Sequence, residues 1–132
     1  MNLTRIVLSL FMTGILIGCG NQDEVEVATV TGQVTLDGQP LPEATLMFQP
    51  ESGRPAIATT DSEGRYSLIY SEGVQGAIVG RNKVIIRSEI PGEDGEPPIA
   101  PEKLPKKYHD ESTLSVDVTP GENVHDFKLT SS

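Results

Sequence analysis

The residue types of a hydrolase occur together in one short stretch, Tyr108-His109-Asp110-Glu111-Ser112. A serine nucleophile needs a histidine base and an acid that orients the base, and this stretch contains all three types. Neighbours along a chain need not face one another in space, however, and the chain has no Gly-x-Ser-x-Gly elbow to expose a nucleophile. The stretch therefore predicts a polar loop, and no catalytic residue is assigned.

Histidines and carboxylates could also hold a metal ion. The two histidines, His109 and His125, form no His-Glu-x-x-His pair. Two groups of carboxylates stand in polar segments: Glu93, Asp94 and Glu96, then Asp110 and Glu111. Calcium takes about 6–8 oxygen ligands, but neither group fits the Asp-x-[Asp/Asn]-x-[Asp/Asn]-Gly pattern of calcium loops. We expect solvated acidic loops, with no metal and no cofactor.

The charge balance limits the classes of partner. Lys and Arg number 10 against 19 Asp and Glu, which gives a net charge of −9. Binding to nucleic acid needs a surplus of basic residues, so nucleic acid is excluded. No glycine-rich phosphate loop follows a strand, so a nucleotide is not expected either.

The only cysteine, Cys19, marks the end of an apolar segment. Residues 6–17 form a mostly apolar stretch of twelve residues behind Arg5. This stretch is shorter than the about 20 residues of a membrane span and is typical of a secretory signal. Leu16-Ile17-Gly18-Cys19 resembles the bacterial lipobox. The resemblance implies cleavage between Gly18 and Cys19 and attachment of diacylglycerol to the Cys19 thiol.

Three regions follow from this reading: a signal peptide 1–18, a lipidated cysteine with a polar tether 19–26, and a domain 27–132. The anchor would place the protein in the bacterial cell envelope, because several acyl chains hold a protein on a membrane almost irreversibly. The residue after Cys19 is Gly20 and not an aspartate. This resembles the signal that directs lipoproteins to the outer membrane in bacteria with two membranes.

The elements that position these residues are strands. In residues 30–36 apolar residues or glycine alternate with polar residues, which is the period of a strand with one buried face. The predicted strands are 30–36, 44–48, 56–60, 65–70, 84–86, 113–118 and 124–129. Pro40 and Pro42 are expected to prevent pairing before Ala44. Val84-Ile85-Ile86 is a continuous apolar run, which is typical of a strand covered on both faces.

Seven short strands with frequent turn signals predict an all-β fold, a seven-stranded antiparallel β-sandwich. Residues 90–107 do not fit this pattern, because they contain five prolines and several acidic residues. Proline lacks the donor that a strand ladder needs. A segment of this length is either a mobile spacer or a ligand-binding loop, and both interpretations stay open.

The strand and turn residues resemble the carboxypeptidase regulatory-like domain. The first half, "VTGQVTLDGQPLPEATLMFQP" followed by "TTDSEGRYSL", carries the motif positions Gly32, Asp37, Gly38, Asp61, Gly64 and Tyr66. The second half, "LPKKYHDESTLSVDVTPGENVHDFKL", resembles small lipoproteins made of this domain alone, and its matching positions are Pro105, Tyr108, Ser112, Thr113, Gly121, Asn123, Phe127 and Leu129. The resemblance implies a transthyretin-like Greek-key sandwich that serves as a spacer or docking module.

Physical chemistry gives these motif residues mainly structural roles. Gly32 is expected to allow a bulge or a close approach in the first strand, and Gly38, Gly64 and Gly121 are expected in turns. Tyr108 is expected to pack its ring on the edge of the sandwich while its hydroxyl bonds to the backbone, like a tyrosine corner.

These features together predict a membrane-anchored, non-enzymatic lipoprotein that acts as a binding or structural module of the envelope. Its partner would be an unknown envelope protein or a glycan, reached through strand edges or residues 90–107. The alternatives are a small periplasmic hydrolase, which would use the histidine and serine of the opening stretch, and a calcium-dependent carbohydrate-binding or adhesion module.

Overall fold

A computed structural model describes residues 25–132 and shows an all-β protein built from two sheets. The predicted all-β class is confirmed. The signal peptide 1–18, the cleavage site at Gly18, the lipidation site Cys19 and most of the tether 19–26 lie outside the described residues. Within residues 25–132, helical structure is limited to one 3-10 turn, Lys106–Tyr108. No helix in this part of the chain is long and apolar enough to span a membrane.

Twelve short strands form the two sheets, a finer division than the seven predicted strands. In chain order they are β1 Val27–Leu36, β2 Gln39–Pro40, β3 Thr45–Pro50, β4 Ala56–Thr59, β5 Arg65–Ser67, β6 Ile69–Ser71, β7 Val74–Gln75, β8 Ala77–Ile78, β9 Gly80–Arg87, β10 Ser115–Val118, β11 Glu122–Val124 and β12 Phe127–Leu129.

The first sheet is organised around β1, which pairs with five other strands along its ten residues. β2, β5 and β8 run antiparallel to β1, whereas β11 and β12 run parallel to it. The prediction of antiparallel pairing therefore fails at β11 and β12. The chain reaches β11 from β10 in the other sheet, and such a crossover permits parallel pairing where a hairpin would not.

The second sheet has the order β10-β9-β3-β4-β6-β7, and all its pairings are antiparallel. The core lies between the two sheets, where alternate residues of the long strands are almost fully buried. These residues are Val30 and Val34 of β1, Leu46 and Phe48 of β3, and Val84 and Ile86 of β9. Because alternate side chains point to opposite faces, the residues between them on β3 and β9 form the outer face of the second sheet.

Two predicted strands divide between different pairings. The stretch 65–70 divides at Leu68, because β5 pairs with β1 while β6 pairs with β4. Leu68 is fully buried and donates its N–H to the Val30 carbonyl at 3.0 Å. The stretch 124–129 divides into β11 and β12, and Val124 is 69% exposed. The alternation of apolar and polar residues predicts which side chains are buried, but it does not predict which neighbouring strand forms the hydrogen bonds.

Two further expectations need correction. Pro40 does not prevent pairing, because it lies opposite Thr35 in the short edge strand β2, and an edge strand tolerates a residue without a donor. β7 and β8 occupy a stretch that the sequence left without strands, 74–78. Both strands have only two residues, which is too short for a periodic pattern to show.

The two ends of the sandwich hold different segments. Val27 at the start of β1 pairs with Ile78, so the chain enters the domain at this end. Leu36 at the end of β1 pairs with Leu129 at the opposite end. Residues 90–107 also lie at the opposite end, because Tyr108, which follows them, contacts Thr130. We call these the entry end and the distal end.

Candidate functional site

The Asp37-Gly38 turn joins β1 to β2 at the distal end. Both residues have positive φ, 50° and 83°, as the central positions of a type I′ hairpin turn require. The Asp37 carboxylate accepts the Ser131 N–H at 3.0 Å. Hydrogen bonds from Ser131 hold the pKa of Asp37 below its usual range. This motif pair therefore fastens the C-terminal residues to the hairpin.

Gly32 permits a close approach of two backbone segments. A Cβ at this position would overlap the carbonyl of His125, and the Tyr66 hydroxyl donates a hydrogen bond to the same carbonyl. Burial, followed by the charge of Asp126, raises the pKa of Tyr66, so its hydroxyl stays protonated as a donor. Gly32 and Tyr66 together hold the segment that leads into Phe127, which packs edge-on against another core ring.

Asp61 and Gly64, two further motif residues from the first half of the chain, close the loop between β4 and β5. The Asp61 carboxylate accepts the N–H groups of Glu63 and Arg65, each at 2.9 Å. Gly64 has a φ of 75°, and its carbonyl accepts the Val34 N–H at 2.8 Å. The contacts of Asp61 and Gly64 are thus internal to the fold.

Asn123 closes the loop that carries Gly121. Its side-chain amide donates to the carbonyls of Thr29 and Thr119 at 3.1 and 2.8 Å, and its oxygen accepts the Thr119 N–H at 2.9 Å. Gly121 has a φ of 99°. Asn123 is buried in β11, and its side chain joins the turn at Gly121 to β1.

Tyr108 is buried, and its hydroxyl accepts the Thr130 N–H at 3.0 Å. This is a backbone contact of the kind expected from the sequence. The ammonium group of Lys107 lies over the Tyr108 ring, 5.1 Å from its centroid. Burial alone would raise the pKa of Tyr108, but the hydrogen bonds with Thr130 and the charge of Lys107 outweigh it and lower the pKa. The ring covers the distal edge of the core.

The hydrolase-like stretch forms a buried corner at the distal end. His109 is 7% exposed, and its Nε2 lies 3.1 Å from the Leu104 carbonyl oxygen. The Ser112 hydroxyl donates to the Val84 carbonyl and accepts the Leu114 N–H. Among residues 25–132 no hydrogen bond joins the Ser112 hydroxyl to the His109 ring, and the serine proton is directed to a backbone oxygen instead.

Arg87 and Asp110 form an ion pair at the exposed side of this corner, with 2.6 Å between Nη2 and Oδ1. The hydrogen bond and charge of Arg87 lower the pKa of Asp110. The Nδ1 atom of His109 lies 3.5 Å from both Arg87 and Asp110. The side chains of Arg87, His109, Asp110 and Ser112 each have a protein partner, as in a structural corner.

The carboxylate of Glu102 makes several hydrogen bonds that attach residues 90–107 to the domain at their base. Oε1 of Glu102 accepts the N–H and hydroxyl of Ser88 at 2.8 and 2.6 Å, and the N–H of Leu104 at 3.1 Å. Oε2 of Glu102 accepts the Glu89 N–H at 3.3 Å. Burial alone would raise the pKa of Glu102, but these hydrogen bonds outweigh it and lower the pKa. Leu104 is 5% exposed and belongs to the core.

The tip of the same segment is exposed. Ile90 and Ala100 form an isolated antiparallel bridge, and the acidic residues lie between them. Ile99 beside this bridge is 76% exposed. In the part of the chain that the structure describes, no three histidine, cysteine, aspartate or glutamate side chains come close enough together to hold a metal ion.

Four apolar side chains form a row across the outer face of the second sheet. Met47 of β3 pairs with Ile85 of β9 and with Ile57 of β4, and Ile57 pairs with Ile69 of β6. Ile57 and Ile69 are 46% and 53% exposed, and Ile85 and Met47 are partly exposed. We call Ile85, Met47, Ile57 and Ile69 the apolar row. Its four positions span about 14 Å, because adjacent strands lie about 4.8 Å apart.

A shallow groove of about 540 Å³ continues the row towards the edge of the sheet. Ile57 and Ile69 line it together with Pro55 and Tyr70. Large apolar side chains that remain exposed in one contiguous patch commonly mark an interaction surface. The apolar row and this groove are therefore the candidate functional site of the described residues.

Comparisons with known proteins give no family. No family model matches the chain, and no curated protein matches it significantly. A DUF3823 family protein from Parabacteroides merdae is similar in structure, with a TM-score of 0.47 and 13% identity over 80% of this chain and 46% of that chain. A 9R-lipoxygenase from Cyanothece has a TM-score of 0.41 and 19% identity over 79% of this chain and 16% of that chain. The chain thus spans about half of the first protein and about a sixth of the second.

The apolar row was not predicted from the sequence. Its residues occupy the outward positions of their strands, and they come from four segments between residues 47 and 85. The one available signal was the continuous run Val84-Ile85-Ile86, which has an apolar residue at an outward position.

Proposed function

We propose that this protein is a lipid-anchored, non-enzymatic β-sandwich of the bacterial cell envelope that binds another envelope protein. The observation that carries the proposal is the apolar row, whose two outermost members, Ile57 and Ile69, are about half exposed. Burying such side chains in a partner contributes about 25 cal/mol for each Å² removed from water. The row is aliphatic, which favours an apolar protein surface over the hydroxyl groups of a glycan, because buried hydroxyls need hydrogen-bond partners.

The lipobox-like residues before Cys19 and the chain's entry into the domain support the anchored arrangement. Only seven residues lie between Cys19 and Val27, so the eight steps from Cys19 to Val27 span at most about 28 Å. With such an anchor the entry end would face the membrane and residues 90–107 would project away from it. The outer face of the second sheet would stand along the side of the molecule, where it would meet a neighbour in the same envelope layer.

The proposed architecture is a transthyretin-like Greek-key sandwich, as in the carboxypeptidase regulatory-like domain. The motif residues Gly32, Asp37 and Gly38 support this assignment, because they form the close backbone approach and the hairpin turn described above. In this arrangement the short segments β5 and β6 would count as one strand that changes sheets.

A pair of photo-crosslinking positions tests the proposal in cells that make the full-length chain. The first position is Thr59, which lies beside the apolar row on the same face of β4. The control position is Lys128, which is exposed on β12 of the other sheet. We expect Thr59 to crosslink to one envelope protein in a constant ratio and Lys128 not to do so.

A charged substitution in the apolar row then links the crosslink to the row itself. Ile57→Asp should remove the crosslink from Thr59, while Val124→Asp, which alters an exposed apolar side chain on the first sheet, should leave it unchanged. Equal crosslinking from both positions, or a crosslink that survives Ile57→Asp, would contradict binding through this face.

A further inference from the structure

We propose that the bound segment of the partner carries carboxylates beside its apolar residues, and that Lys83 is the side chain that selects them. This inference rests on the proposed function and specifies its partner. The chain as a whole is acidic, with 19 acidic against 10 basic side chains. On the outer face of the second sheet, by contrast, the strand positions carry more basic than acidic side chains.

The positions that flank the apolar row carry cationic or neutral side chains. On one side of the row, Lys83 pairs with Gln49 and with Ser115. On the other side, Arg87 pairs with Thr45, which pairs with Thr59. None of these flanking strand positions in the described sheet is aspartate or glutamate. Acidic side chains do reach both borders from residues outside the strands, with Glu51 beside Lys83 on one side and Glu43 and Glu89 beside Thr45 on the other.

The three cations on this face of β9 differ in whether an acid within the chain already pairs with them. Arg87 pairs with Asp110 at 2.6 Å, and Arg81 lies 3.8 Å from Asp117. Lys83 is exposed and has no salt-bridge partner within 4.0 Å among residues 25–132. Among the β9 cations on this face, its ammonium group is therefore the one available to another molecule. Arg54, which lines the groove beyond the other end of the row, likewise has no salt-bridge partner within 4.0 Å among residues 25–132.

An apolar row with the unpaired Lys83 at its β9 border fits a particular kind of segment. The row would bury the apolar residues of the partner, and Lys83 would meet an Asp or Glu at the rim. Charged groups at an interface rim mainly set the association rate and the choice of partner. The aliphatic row supplies affinity for many apolar segments, and Lys83 would distinguish acidic segments from basic ones.

The test uses the crosslinker at Thr59 in the full-length protein and changes the charge at Lys83. Lys83→Glu should lower the crosslink yield by about tenfold or more, because it places a like charge opposite the partner's carboxylate. Lys83→Arg, which keeps the charge, should retain most of the yield. Lys128→Glu is the matched control, since it makes the same charge change on the first sheet and should leave the yield unchanged.

Peptide mapping of the crosslinked partner identifies the segment that lies on the face, and a charge reversal completes the test. We expect an apolar segment with Asp or Glu beside it, and replacement of that acid by Lys in the partner should restore crosslinking to Lys83→Glu. A crosslink to a second copy of this chain, a segment without acidic residues, or an unchanged yield in Lys83→Glu would each overturn the inference while leaving a protein-binding face. The absence of any crosslink at Thr59 would overturn the proposed function and the inference together.

Discussion

Replacement of Glu102 by glutamine should loosen the attachment of residues 90–107 to the domain. The carboxylate of Glu102 accepts two short hydrogen bonds from Ser88 and a longer one from the Leu104 N–H. Hydrogen bonds to a charged acceptor contribute about 1.5–3 kcal/mol each, against about 1 kcal/mol for neutral pairs. Glutamine keeps an acceptor oxygen but loses the charge, so each short bond should weaken by about 1 kcal/mol. Solvent screening at this partly exposed site reduces the total to about 1–2 kcal/mol.

Hydrogen exchange of two backbone amides measures this effect locally. The Leu104 N–H donates to Glu102 itself, and the Lys103 N–H donates to the Ser88 hydroxyl at 2.7 Å. A loss of about 1.4 kcal/mol corresponds to a tenfold faster exchange, so both amides should exchange about tenfold faster in Glu102→Gln. Glu96→Gln is the matched control, because Glu96 is exposed in the same segment and its substitution should change neither rate. Unchanged exchange at Leu104 in Glu102→Gln would refute the role given to this carboxylate.

The same carboxylate predicts a dependence of stability on pH. Burial alone would raise the pKa of Glu102, but the hydrogen bonds from Ser88, Leu104 and Glu89 lower it from its ordinary value of 4.5. A lowered pKa means that the stabilisation is present above that ordinary value and is lost as the pH falls through the lowered value. The difference in melting temperature between the wild type and Glu102→Gln should therefore be largest near neutral pH and should shrink towards pH 3. A difference that stays constant over this range would show that the charge of Glu102 contributes nothing.

Three further predictions concern the fold and the anchor. Gly32→Ala should destabilise the domain by about 3 kcal/mol through a steric clash, against about 1 kcal/mol for Tyr66→Phe. Thermal denaturation of both variants measures this order, and equal effects would contradict the close approach. Tyr108→Phe should cost about 1–2 kcal/mol and speed exchange of the Thr130 amide, whereas an unchanged Thr130 rate would argue against the hydroxyl contact. Cys19→Ser should move the protein from the detergent phase to the aqueous phase in a phase-partition assay, because a serine cannot form the thioether to diacylglycerol; retention in detergent would exclude the anchor.

The alternation of apolar residues was enough to predict the inner faces of the main strands. Val34, Leu46 and Phe48 are fully buried, and each stands at an inward position of its predicted strand. Burial on one face of a strand is local information, since it follows from the period of two along the backbone. This is why the all-β class and most of the core could be predicted from the sequence.

The partner of each strand could not be predicted in the same way. Leu68 follows the alternation of its stretch, yet the backbone leaves one sheet and joins the other at this residue. Likewise, no local pattern distinguishes the parallel pairing of β12 with β1 from an antiparallel one. Such pairings depend on contacts between residues about 90 positions apart, for example Val34 with Phe127, and the energy of those contacts appears only when the whole sandwich is assembled.

The run Val84-Ile85-Ile86 connects the sequence to the proposed function. Its continuous apolar character predicted a strand covered on both faces, and in the described residues only one face is covered. Val84 and Ile86 are fully buried against the first sheet, whereas Ile85 points outwards and lies partly exposed in the apolar row. An outward isoleucine gives the monomer little burial energy, since that energy scales with the area removed from water. The proposed partner would cover this second face, and Ile85 would then contribute its burial energy to the complex.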